Sequence, residues 1–139
     1  MSPRFFPQPK PGDIVWCKFP QHASLKPGPK PRPALVLKVG EQAAATWVQV
    51  AYGTSQKVDK LFPGEFVITP SDGDAYSISG LSYPTKFNLA STFELPFSED
   101  WFGVPPGAPH GQVPKLGVLH PSLMRRAQAA MEAAIETGH

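Results

Sequence analysis

The chain has 139 residues, a mass of 15.1 kDa and a formal net charge of +2, which fits one domain spanning residues 1–139. Its unusual number is 18 Pro beside 12 Gly, yet 33 residues are Leu, Ile, Val or Phe, enough apolar material for one core. Prolines at this density exclude a helical bundle, because helix interiors do not tolerate them. A single cysteine, Cys17, excludes an intramolecular disulfide and a Cys-based zinc site. No run of about 18 apolar residues is present. The N-terminus lacks the apolar stretch of a signal peptide, so a cytoplasmic protein without membrane spans is expected.

Charge is uneven along the chain. Residues 1–60 carry nine basic and three acidic groups, and residues 61–139 carry four basic and eight acidic ones. A basic first half suits a polyanionic partner, although solvated surface charge gives the same count.

Residues 1–12 are polar and Pro-rich and read as an N-terminal arm. Asp13 to Phe19 is β-branched and aromatic, punctuated by Gly12 and Pro20, and predicts the first strand. Alternation puts Val15, Cys17 and Phe19 on its core face, with Ile14, Trp16 and Lys18 opposite. From Pro20 to Pro33 the chain holds Pro20, Pro27, Pro29, Pro31 and Pro33 with Lys26, Lys30 and Arg32. This reads as a long loop stiffened by polyproline-like segments. Ala34 to Val39 predicts the second strand, Gly40 to Ala45 a turn, and Thr46 to Tyr52 the third strand. A polar loop, Gly53-Thr54-Ser55-Gln56-Lys57, follows.

Glu65 to Thr69 predicts a fourth strand, and short strands are expected at Thr85 to Leu89 and Thr92 to Leu95. Residues 96–114 form a Pro-rich irregular segment, with Trp101, Phe102 and Val104 expected against the core. Residues 121–136 predict the one helix, with Met124, Ala127, Met131, Ala134 and Ile135 on its apolar stripe. The fold class is therefore mainly β with a C-terminal helix (α+β), a small barrel of five to six short antiparallel strands.

The usual catalytic signatures are missing. The four histidines are scattered without metal-ligand spacing, so no metal site and no cofactor are expected. There is no nucleophile elbow and no phosphate-binding P-loop, and Cys17 sits mid-strand on an apolar face. Two places stand out instead. Arg32 lies between Pro31 and Pro33, which restrict its backbone at the entrance to the second strand. Thr54 stands just past the third strand, with Ser55, Gln56 and Lys57 behind it, a run suited to phosphate and base contacts. If the second and third strands form a hairpin, Arg32 and Thr54 become neighbours. A surface charge and a turn residue are the ordinary reading of the same two positions.

The order PGDIVWCKFP, a variable loop, PRPALVLKV, a third strand and YGTSQK resembles the MazF/PemK family of toxins from type II toxin–antitoxin pairs. The motifs occupy residues 11–57. The resemblance implies an SH3-like barrel of the CcdB/MazF/PemK type that forms homodimers in the cytoplasm and is neutralised by a cognate antitoxin. It further implies metal-independent cleavage of single-stranded RNA (mRNA) by attack of the ribose 2′-OH on the adjacent phosphate. Arg32 matches the catalytic arginine of the Arg-Pro motif, and Thr54 the catalytic hydroxyl residue after the third strand. Lys26, Lys30, Ser55, Gln56 and Lys57 would then contact RNA, with Trp16 or Tyr52 stacking on a base. The loop before Arg32 departs from the family, lacking its acid and its Gly pair. Two other readings are a non-catalytic nucleic-acid- or protein-binding module and a gyrase-inhibiting toxin of the same fold.

Overall fold

A computed structural model describes residues 7–20, 27–28, 30–42 and 45–138. Six strands form one antiparallel sheet: β1 (Asp13–Cys17), β2 (Arg32–Gln42), β3 (Ala45–Thr54), β4 (Glu65–Ile68), β5 (Thr85–Pro96) and β6 (Lys115–Val118). Their spatial order is β4-β5-β3-β2-β1-β6. The mainly β class with a C-terminal helix is borne out, but the sheet is not closed, because the edges β4 and β6 do not pair. A short helix, α1 (Asp74–Ser79), follows β4 and runs up to β6 instead. There Gly80 and Gly117 bring the two backbones together, since a Cβ at either would collide with Leu116 or with Ile78 and Ser79.

Both faces of the sheet are buried, which the alternation in β1 did not foretell. Ile14, Leu35, Ala51, Phe66 and Phe87 pack on one face beneath Leu123, Ala127 and Ala130 of the C-terminal segment. Val15, Cys17, Phe19, Ala34, Val36, Val48 and Val50 pack on the other with Leu95 and Phe102. Ile14, expected on the more exposed side, is wholly buried because the helix covers that face. The helix, α2 (Met124–Gly138), is entered through a 3-10 turn at Pro121–Leu123, with the His120 ring nitrogen Nδ1 accepting from Ser122 N. Its buried stripe is Ala127, Ala130 and Ala134, whereas the predicted Met124 and Ile135 are exposed. Ala127, Met131 and Ala134 lie on the stripe as predicted, while Leu123 takes the buried place expected for Met124.

The second and third strands are longer than predicted, and Gln42 pairs with Ala45, so Gly40 to Gln42 are strand rather than turn. The two short strands expected at 85–89 and 92–95 are one continuous strand. A bulge splits their signal: Ala51 pairs with Thr92 and Tyr52 with Asn88, leaving Leu89, Ala90 and Ser91 out of the ladder. The irregular segment after β5 lies along β1, where Lys18 N donates to Trp101 O and Gly103 N to Trp16 O. Phe102 is buried there, as its sequence context predicted, with Trp101 packed beside it.

Candidate active site

The antiparallel register of β2 and β3 builds the site. Ala34 pairs with Tyr52, Leu35 with Ala51 and Val36 with Val50, so the same register sets Arg32 opposite Thr54. Arg32 is the first residue of β2 and Thr54 the last of β3. On their outer sides, Arg32 pairs with Cys17 and Thr54 with Lys86. Directly opposed residues point to the same face, with Cβ atoms about 4.5–5.5 Å apart. One row across four strands thus reads Cys17, Arg32, Thr54, Lys86.

Each member of the row has a distinct environment. Cys17 is buried, and that burial pushes its thiol far up from its ordinary pKa, so it is neither a thiolate nor a nucleophile. Arg32 is half-buried, and among the described residues its guanidinium has no hydrogen-bond or ion-pair partner. Thr54 is half-buried, and its Oγ1 accepts the backbone N–H of Gln56 at 3.1 Å. That local bond fixes the hydroxyl oxygen while leaving its hydrogen free to donate. Ser55, Gln56 and Lys57 are exposed, and Lys57 turns the chain with φ of 53°.

Lys86 is the feature the sequence reading missed. It is 6 % exposed, and its ammonium donates to Lys60 O at 2.9 Å and to Glu65 Oε1 at 3.0 Å. The same carboxylate oxygen accepts Phe62 N at 2.9 Å. The turn between them, Phe62-Pro63-Gly64-Glu65, closes with Glu65 N donating to Phe62 O, and Gly64 supplies the positive φ of 95° it needs. Alternation in Thr85-Lys86-Phe87-Asn88-Leu89 places Lys86 on the polar side of its strand, and its partners lie more than 20 residues away, so no local signal marks its burial.

The other expected contacts are distributed as follows. Lys30 is exposed two residues before Arg32, and Lys26 lies outside the described residues. Trp16 stands on the opposite face of the sheet, half-buried against the core beneath α2, away from Arg32 and Thr54. Tyr52 is on the Arg32 face, held edge-on by Phe19 with ring centroids 5.0 Å apart. Among the described residues no three His, Cys, Asp or Glu side chains gather as metal ligands. No helix among them is long and apolar enough to cross a membrane.

Such an arrangement offers a permanent planar cation and a hydroxyl donor on one surface, with no acid or thiolate between them. It suits binding a phosphate through two oxygens more than it suits nucleophilic attack by the protein. No curated protein matches the chain. The family described as the PemK-like, MazF-like toxin of type II toxin–antitoxin systems matches residues 10–93, a stretch that contains β1 to β4, most of β5 and the whole Arg32–Thr54 row. The chain therefore belongs to the PemK/MazF-like family of type II toxins.

Proposed function

We propose that this toxin is an endoribonuclease that cuts single-stranded RNA without a metal ion, using Arg32 and Thr54. The observation that carries the reading is the β2–β3 register, which puts a guanidinium without a described partner across from a hydroxyl held by Gln56 N. In the reaction the ribose 2′-oxygen attacks the adjacent phosphorus and the bond to the 5′-oxygen breaks. The products are a 2′,3′-cyclic phosphate and a 5′-hydroxyl, the 2′-OH proton passing to solvent and the leaving oxygen taking one up. Arg32 binds two non-bridging oxygens and stabilises the charge that develops on them. A permanently charged guanidinium, it acts by charge rather than by giving up a proton. Thr54 donates a hydrogen bond to a phosphate oxygen. Lys30, Ser55, Gln56 and Lys57 line the strand's path, and Lys26 belongs to the same loop as Lys30.

Toxin-family membership supports a cognate antitoxin that relieves growth inhibition, and a cytoplasmic homodimer is the form we propose to be active. The test is induced expression of wild type beside Arg32→Ala. Growth arrest by wild type alone supports an Arg32-dependent nuclease, whereas equal arrest by both rejects it in favour of a target, such as a topoisomerase, that needs no phosphate-binding arginine.

A further inference from the structure

We propose that Phe62 is a base-stacking platform for the RNA strand next to the scissile phosphate, positioned by the buried Lys86–Glu65 pair. This rests on the nuclease reading above and extends its binding surface beyond the Ser55–Lys57 loop. Phe62 is 56 % exposed, an ordinary figure for a loop lysine but not for a phenylalanine. Its backbone is nevertheless fixed at both polar groups, with N donating to Glu65 Oε1 and O accepting from Glu65 N. The Lys86 ammonium lies 5.6 Å from the centroid of its ring, within cation–π range.

Lys86 pairs directly with Thr54 in the ladder, so the ring within reach of its ammonium lies beyond Thr54 at the β4 edge of the sheet, where Phe62 also lines a groove with Arg126 and Ala129 of α2. An exposed aromatic ring with its backbone already ordered loses little entropy when a base stacks on it. Burying a Lys–Glu pair at an edge strand is a poor route to stability alone, since desolvation offsets much of the attraction. The pair does hold a nucleobase-sized apolar surface beside a phosphate-binding cation. Lys57 and Lys60, both exposed in the intervening loop, supply charge for the flanking phosphates, with Asp59 the one acid between them.

The experiment measures binding of a fluorescein-labelled, fully 2′-O-methylated pool of single-stranded 12-nucleotide RNAs by anisotropy, across a salt series. The pool cannot react, because its 2′-oxygens are blocked. Phe62→Ala and Phe62→Leu are expected to weaken binding about 5- to 100-fold at an unchanged slope of log affinity against log salt. Phe62→Trp is expected to restore it. Lys57→Ala provides the contrast, with a slope shallower by about 0.7. Wild-type affinity in Phe62→Leu, or a salt slope altered as in Lys57→Ala, overturns stacking while leaving the nuclease reading intact. Failure of the wild type to bind the pool or to cleave unmodified RNA overturns both.

Discussion

Replacing Gly53 with alanine tests the strand pairing on which the site depends. Gly53 lies between Tyr52, whose pairing with Ala34 sets the register, and Thr54. A Cβ there would stand 2.5 Å from the Pro33 carbonyl oxygen and 2.8 Å from Cε1 of Phe87. Neither neighbour yields easily, since one is backbone and the other a ring with no exposed surface. Overpacking of this kind costs about 1–3 kcal/mol. The lower unfolded-state entropy of alanine returns roughly 0.5–1 kcal/mol. The net destabilisation is about 0.5–2 kcal/mol, a fall in Tm of roughly 2–8 °C for a chain of this size. Because the relief must come from separating β2 and β3 beside Arg32, RNA cleavage should fall by far more than the unfolded fraction explains. A displacement of about 1 Å is enough to lower a rate about 100-fold. Thermal unfolding by circular dichroism and cleavage of a labelled RNA give the two readouts. A variant with wild-type Tm and wild-type activity refutes the close approach of the strands and the geometry built on it.

Lys86→Met leaves Glu65 buried without its cation and is expected to lower stability by about 3–5 kcal/mol in urea unfolding. The double variant Lys86→Met with Glu65→Gln should recover part of that, and a double variant as unstable as the single one contradicts the pairing. Asp72 accepts Thr69 N and is bound by two nitrogens of Arg126 at 3.1 Å, and the Arg126 hydrogen bonds foremost hold its carboxyl below the ordinary range. A lowered folded-state pKa contributes stability that is present above the unfolded value of about 4 and is lost as pH falls through the folded one. The stability gap between wild type and Asp72→Asn should therefore be level above about pH 5 and shrink below about pH 4; a gap that widens in acid reverses the sign. Cys17 should react with an aromatic disulfide reagent at the global unfolding rate, its burial holding the thiol protonated. Fast labelling of the native protein would place the thiol at the surface.

The parts legible in the sequence were those with local signals. The first four strands and the terminal helix follow from alternation, punctuation and 3.6-residue spacing, while most of the proline-rich loop before Arg32 lies outside the described residues. What was lost had non-local causes. β5 read as two strands because Leu89 to Ser91 leave the ladder, with Leu89 N bonded to Gly64 O instead. β6 is four residues, Lys115–Val118, too short for a period to show. The α1 helix has six residues and takes its place from the close contact of Gly80 with β6. At the site, strand pairing sets Arg32 opposite Thr54, whereas Trp16 lies on the other face of the sheet, which nothing local in a strand buried on both sides reveals. Lys86 and Phe62 meet only through the β4–β5 pairing, 24 positions apart in sequence.

The most direct measurement is cleavage of a mixed-sequence single-stranded RNA pool by purified wild type and by Arg32→Ala, both in EDTA, with the 3′ ends of the products identified by mass spectrometry. The account predicts 2′,3′-cyclic phosphate ends from the wild type and a loss of at least about 100-fold in the variant, the size of a missing charge-stabilising contact. Equal cleavage by the two proteins, or products ending in 3′-hydroxyls, contradicts it.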